Sequence, residues 1–369
     1  MLKNTNVKSV EHVVIRFSGD SGDGMQLAGN IFSNVSAGEG NQISTFPDYP
    51  AEIRAPQGTL SGVSGFQVNL GHAVHTPGDE ADVLVAMNPA ALKTNLKFLK
   101  STGIIICDSD TFRPADLKKA EYTTDDPIKE LGIDKRRVLL VPMTELVKRT
   151  LEGSGLDQKA MLKCKNMFAL GLICWLFERP VDSVLAKLKA KFAKKPEIYE
   201  ANAKVIRAGW DCGHNTHSYM PTYRVETESV EPGIYTDVNG NTATAWGLIM
   251  ASEKSGRPLF LGSYPITPAT DILHELAKRK DLGVKACQME DEIAGVCSAI
   301  GASYAGHLAV TSTSGPGLAL KSEAIGLAVM AELPLVVIDV QRGGPSTGLP
   351  TKTEQTDLMQ ALYGRNGES

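Results

Sequence analysis

Between residues 258 and 340 the chain alternates four short apolar runs, Pro258–Leu261, Val284–Met289, Leu308–Thr311 and Leu335–Val340, with segments of helical length. Each run ends in a polar loop. The loops are Tyr264-Pro265-Ile266-Thr267-Pro268, then Glu290-Asp291-Glu292, then Ser312 to Gly317, then Gln341 to Thr351. Strands and helices alternating in this way predict a parallel α/β sheet. In such a sheet ligands bind beyond the carboxyl ends of the strands, so the four loops form one candidate functional rim.

The N-terminal part is less regular. Val13–Phe17 reads as a strand, Ser18–Gly24 as a glycine turn and Met25–Ala37 as a helix. The turn lacks the glycine order of a dinucleotide site, and Asp20 and Asp23 would repel a pyrophosphate; they are expected to cap the helix instead. Gly62–Leu70 alternates like a strand with one solvated face, and parallel strands are expected at Val83–Met87, Ile104–Cys107 and Val138–Val141. From Gln158 to Cys212 the period is helical, punctuated at Arg179-Pro180 and Lys195-Pro196. The expected fold class is α/β: a first α/β domain with a helical extension (residues 1–213), a Pro-, Thr-, Ser- and Glu-rich linker (214–239), and a second, doubly wound α/β domain (240–369).

With 369 residues, 42% of them apolar, two cores can be filled. The net charge of -4 and the scattered Lys and Arg argue against nucleic acid as a partner. The N-terminus has no apolar signal core, and the longest apolar run, Met167–Phe177, is about half the ~20 residues that span a bilayer. The protein is therefore expected to be soluble and cytoplasmic, with no membrane partner. Six cysteines (Cys107, Cys164, Cys174, Cys212, Cys287 and Cys297) form no Cys-x-x-Cys pair and read as buried reduced thiols. His214 and His217 lack a third ligand, so no metal site is expected in this chain.

Two features carry chemistry, one on the rim and one in the N-terminal part. Glu290 and Glu292 stand where a strand meets a helix, which suits either a catalytic carboxylate or a charge that favours the helix N-terminus. Arg54, on a loop between Asp48 and Leu60, is either a solvated charge or an anion clamp.

Taken together, Tyr-Pro-Ile-Thr-Pro at 264–268, Gln-Met-Glu-Asp-Glu-Ile-Ala at 288–294, Thr-Ser-Thr-Ser-Gly-Pro-Gly at 311–317 and Asp-Val-Gln-Arg-Gly-Gly-Pro-Ser-Thr-Gly-Leu-Pro-Thr at 339–351 are similar to a known family. They resemble the α subunit of 2-oxoacid:ferredoxin oxidoreductases, the 2-oxoglutarate enzyme in particular. The turn Ser18–Gly24 and the segment Tyr49–Arg54 resemble the γ-type domain that this subunit carries at its N-terminus. The resemblance implies thiamine diphosphate, bound by its pyrimidine half to this subunit and shared with a β subunit. Mg²⁺ and a [4Fe-4S] cluster are expected on that partner, coenzyme A as co-substrate, ferredoxin as acceptor and an (αβ)2 assembly.

By the same resemblance Glu292, with Glu290 as the alternative, shares a proton with the pyrimidine ring, and Tyr264, Pro265 and Thr267 contact the cofactor. Thr267 would equally serve as a helix N-cap before Pro268. Arg342 would hold the 2-oxoacid carboxylate, with Thr347 in the same loop, and Arg54 would reach the distal carboxylate of 2-oxoglutarate. Pyruvate or another 2-oxoacid is the alternative substrate, and a non-catalytic assembly module the alternative class. The family's α subunit continues well past residue 369, so a partial chain is expected; with the cluster and the diphosphate–Mg²⁺ site on the β partner, the chain is expected to be inactive alone.

Overall fold

The computed structural model describes residues 7–50, 55–216, 220–227, 231, 233–236, 238–344 and 354–366. The chain divides into two compact units, Met1–Ile234 and Tyr235–Ser369.

The first unit runs β1 (Val7–Val10), β2 (His12–Asp20), α1 (Met25–Gly38), β3 (Gln42–Asp48), β4 (Val63–Gly71), β5 (Ala81–Ala86), α2 (Pro89–Asn95) and β6 (Leu99–Asp108). Short helices α3 (Pro114–Lys119) and α4 (Pro127–Glu130) lead to β7 (Val138–Val141). A helical layer follows, α5 (Met143–Thr150), α6 (Gln158–Leu162), α7 (Lys165–Leu176), α8 (Val181–Lys191) and α9 (Pro196–Thr216), and then β8 (Thr222–Val225). Alternate residues of β2 face opposite layers: Val13, Ile15 and Phe17 pack with α1 and the helical layer, Val14 with α2.

Four expectations need correction here. The sheet, ordered β3-β4-β2-β5-β6-β7, is mixed: β2, β5, β6 and β7 are parallel, but β4 runs antiparallel to β2 and to β3. Strand β3 escapes sequence reading because it is largely polar and carries Pro47, which an edge strand tolerates. Strand β4 has no solvated face, since all nine of its residues are buried. The segment 72–79 covers its polar positions, Gln67 Nε2 donating to Pro77 O at 2.9 Å and Asn69 Nδ2 to Thr76 O at 2.8 Å.

Nor do Asp20 and Asp23 cap α1. Gly24 occupies the cap at φ 74°, while the carboxylates brace the turn, Asp23 accepting from Asp20 N at 2.8 Å and Asp20 from Gly58 N at 2.9 Å. Lastly, the stretch 214–239 is more than a connection. Helix α9 extends to Thr216, and β8 pairs in parallel with β1, Val7 opposite Thr222 and Val10 opposite Val225.

The second unit contains α10 (Gly240–Ser255), β9 (Leu259–Ser263), α11 (Thr270–Ala277), β10 (Lys285–Gln288), α12 (Glu292–Tyr304), β11 (Leu308–Thr313), α13 (Gly315–Met330), β12 (Val336–Asp339) and α14 (Leu358–Tyr363). Its four strands are all parallel, in the order β10-β9-β11-β12. Leu259, Leu261 and Val310 pack with Ala245 of α10 and Ile272, Leu273 and Leu276 of α11, whereas Phe260 and Ala309 pack with Ala299 and Ala302 of α12. Helices thus cover both faces, as a doubly wound fold requires. From β9 the chain steps to one side for β10 and to the other for β11, which puts the topological switch point between β9 and β11. Among the described residues no helix is long and apolar enough to cross a membrane.

Candidate functional site

Side chains bridge this switch point. Tyr264, directly after β9, is buried, and its hydroxyl lies 3.0 Å from Thr313 Oγ1 at the end of β11. One step earlier Ser263 Oγ lies 2.7 Å from Ser312 Oγ. These pairs make a fixed polar floor beyond the carboxyl ends of the two strands. Gly317 lies against it: a Cβ there would come within 2.2 Å of both the Tyr264 hydroxyl and Thr313 Oγ1, and 3.0 Å from Glu292 Cγ.

Glu292 opens α12. Asp291 caps this helix, its Oδ1 accepting from Ala294 N at 2.8 Å, and Gly262 lets the helix press against β9, since a Cβ there would meet Gly295 O at 2.5 Å. The geometry separates the two glutamates: Glu292 is half-buried at the floor, and Glu290 is exposed. Burial raises the Tyr264 phenol above its ordinary range, its hydrogen bond with Thr313 opposes this, and the negative charge of Glu292 adds to the rise.

Arg342, just past β12, is 9% exposed. Its Nη1 donates to Thr267 O at 2.9 Å, and its Nε is buried with no partner. Burial lowers its pKa, opposed by Tyr264 and Glu292. Thr267 therefore meets Arg342 through its carbonyl. It does not cap α11: Ala269 holds that position, and Thr270 Oγ1 accepts from Ile266 N at 2.8 Å. Pro265 is exposed on the same loop. Ser314 Oγ, at the N-cap of the sixteen-residue helix α13, is a second buried polar atom with no partner.

Beside the floor, Asp339 at the end of β12 faces Asp357. Burial and this neighbour raise the Asp339 carboxyl to about 7. Burial pushes Asp357 upward too, but hydrogen bonds from Asp339 and Gln341 hold it below its ordinary value.

Arg54, Thr347 and His217 lie outside the described residues. Among the described residues no group of three or more His, Cys, Asp or Glu could hold a metal. The reading of the cysteines as buried thiols holds for Cys107, Cys164 and Cys174; Cys212 and Cys287 are half-buried and Cys297 is exposed on α12.

Sequence reasoning placed Thr313 and Gly317 on the rim without giving either a role, and missed Lys321, which is fully buried. A signal existed. Gly317, Lys321, Ala324 and Ala328 recur at helical spacing on the buried face of α13, and a lysine in register with small residues marks a buried cation.

Comparison with known proteins agrees with this architecture. The family model for pyruvate ferredoxin/flavodoxin oxidoreductase matches residues 14–212, and that for pyruvate flavodoxin/ferredoxin oxidoreductase, thiamine diphosphate-binding, matches residues 252–367. The 2-oxoglutarate oxidoreductase subunit KorA of Mycobacterium tuberculosis is 54% identical over 361 residues, which are 98% of this chain and 55% of that protein. The 2-oxoglutarate synthase subunit KorA of Methanocaldococcus jannaschii is 48% identical over 132 residues, 36% of this chain and 35% of that one.

A solved structure, the 2-oxoglutarate:ferredoxin oxidoreductase from Magnetococcus marinus with 2-oxoglutarate, coenzyme A and succinyl-CoA bound, superposes with a TM-score of 0.75 at 33% identity. The match covers 98% of this chain and 57% of that one. The chain spans about half the length of the curated relatives it matches. With its first unit and its switch-point unit each matched by a model of the same group, the chain belongs to the pyruvate ferredoxin/flavodoxin oxidoreductase family.

Proposed function

We propose that this chain acts within the α subunit of a 2-oxoglutarate:ferredoxin oxidoreductase. The reaction is coenzyme A-dependent oxidative decarboxylation of the 2-oxoacid, with electrons passed to ferredoxin. In this reading residues 1–213 are the γ-type domain, 214–239 join the two parts, and 240–369 hold the aminopyrimidine half of thiamine diphosphate. A β subunit supplies the diphosphate–Mg²⁺ site and a [4Fe-4S] cluster in an (αβ)2 assembly, which works in the cytoplasm. The names of the two relatives and of the superposed structure favour 2-oxoglutarate over pyruvate.

The observation that carries the reading is the position of Glu292 over the Tyr264–Thr313 floor. The residues fit the group: Gly317 leaves the floor open to close approach, and Arg342 Nε and Ser314 Oγ are buried polar atoms awaiting partners. When bound, thiamine diphosphate supplies the electron sink that lets a 2-oxoacid lose carbon dioxide.

Glu292 holds a proton at the pyrimidine ring nitrogen, its half-burial strengthening that bond. Tyr264 and Thr267 orient the ring, with Pro265 shaping their loop. Arg342, anchored through Nη1 on Thr267 O, keeps its Nε for the substrate carboxylate. Thr347 and Arg54 are assigned to the same substrate, Arg54 to its distal carboxylate.

The test is reduction of ferredoxin or a viologen dye by the full-length α subunit assembled with its β partner, in the presence of coenzyme A, thiamine diphosphate and Mg²⁺. Rapid reduction with 2-oxoglutarate and slow reduction with pyruvate are expected. Activity on pyruvate alone would overturn the substrate, and activity without the β partner would overturn the division of labour.

A further inference from the structure

Lys321 has no place in the mechanism above, yet it is the largest charged side chain sealed in the core of the second unit. It is 0% exposed, and all three contacts of its ammonium are neutral. Nζ donates to the backbone carbonyl of Glu292 at 2.6 Å and to Thr311 Oγ1 at 3.2 Å, and it lies 5.1 Å from the centroid of the Tyr264 ring. Among the described residues it forms no ion pair. A buried cation served only by neutral groups is costly, and helical packing alone would be met by methionine or leucine.

What distinguishes the arrangement is what the lysine holds. Its shortest bond is to the residue that carries the candidate catalytic carboxylate, and its aromatic neighbour is the tyrosine of the floor. A Cβ on Gly295 would stand 3.5 Å from Nζ, so the lysine reaches α12 where that helix presses on β9.

Resting on the function proposed above, we infer that Lys321 is a positioning residue for Glu292. It clamps the first turn of α12 through the Glu292 carbonyl, and so fixes where the Glu292 side chain stands when the pyrimidine engages it. The charged and titratable groups around Nζ are Glu292 and Cys297 on α12, Asp291 at its cap, Tyr264 after β9, and Arg342, which acts on Tyr264, after β12; β11 offers only the Thr311 hydroxyl. Burial lowers the pKa of Lys321 to about 8, with Glu292, Asp291 and Cys297 opposing that fall. The lysine is therefore charged through the neutral range and loses its charge just above it.

The experiment uses the assembled complex loaded with thiamine diphosphate. The near-ultraviolet circular dichroism of the bound pyrimidine is followed against pH, beside thermal melting. Lys321→Gln keeps a donor but removes the charge; Lys321→Met removes both. Without the ammonium the first turn of α12 loses its tie, and the Glu292 side chain its place at the ring. The signal at saturating cofactor should therefore weaken in both variants, and cofactor affinity should fall about tenfold further in Lys321→Met than in Lys321→Gln.

In the wild-type complex the same signal should inflect near pH 8, where Lys321 loses its charge, which needs no variant to fold. Lower melting points with a signal of wild-type size in both variants, or a wild-type signal flat through pH 8, would overturn the inference. A signal unchanged in Glu292→Gln would show that it does not report on Glu292, and the functional reading would fail before Lys321 was at issue.

Discussion

A methyl group on Gly317 would lie 2.2 Å from the hydroxyl of Tyr264, closer than any real carbon–oxygen contact outside a bond. Gly317→Ala should therefore push the tyrosine off Thr313 and tilt the floor beneath Glu292. A stability loss of about 1–3 kcal/mol is expected, together with weaker binding of thiamine diphosphate than that loss accounts for. Melting of the complex with and without cofactor checks it: a variant whose melting point rises with cofactor as much as the wild type's would count against the floor.

The two glutamates should separate sharply. Glu292→Gln removes the carboxyl proposed to share a proton with the pyrimidine and should lower kcat by about 10²–10⁴-fold, whereas the exposed Glu290→Gln should stay within about twofold of wild type. Steady-state dye reduction by the two complexes decides between them, and equal losses would show that the helix terminus and not one carboxylate is at stake.

How far could these assignments be read from the chain alone? The second unit was legible almost throughout, because its parallel strands are buried apolar runs and each ends in a loop of Gly, Pro and hydroxyl residues. The first unit was less so. Strand β3 is polar and ends near a proline, and β4 looks half-solvated because Gln67 and Asn69 satisfy their amides on a loop that periodicity cannot foresee. In the site, the family resemblance pointed to Glu292 ahead of Glu290 and to Arg342, and the structure adds that Glu292 is half-buried and Glu290 exposed, but the pairing of Tyr264 with Thr313 spans 49 residues and no local pattern announces it. Lys321 was visible only as a misplaced charge.

Asp339 gives the second unit a signature in pH. Its folded-state pKa of about 7 stands above the ordinary 3.8, so between those values the folded chain holds a proton that the unfolded chain has released. Stability should fall as pH rises from about 4 to about 7 and level off above, with a slope of at most about 1.4 kcal/mol per pH unit. The lowered pKa of Asp357 acts in the opposite sense, its contribution being lost as pH falls below the ordinary carboxylate range. Asp339→Asn should flatten the profile between pH 4 and 7. Urea midpoints across that range measure it, and an unchanged slope would rule out the shared proton.

Helices α7 and α9 meet backbone to backbone. A Cβ on Gly171 would come within 2.1 Å of Ile206 O, and one on Gly209 within 2.2 Å of Phe168 O. No side chain can rotate to relieve either clash. Gly209→Ala should cost about 3 kcal/mol, near the top of the usual range for overpacking, and leave the second unit's site untouched. Chemical denaturation tests the first part and cofactor binding the second; a loss below about 1 kcal/mol would show that the helices can part freely.

The short ladder between β1 and β8 has a bearing on how such a chain is put together. Because Val7 stands opposite Thr222 and the strands run side by side to Val10 and Val225, the first and last described strands of the first unit share one ladder. Neither strand can peel away without leaving the other's backbone groups without partners, so two stretches remote in sequence are fastened to each other.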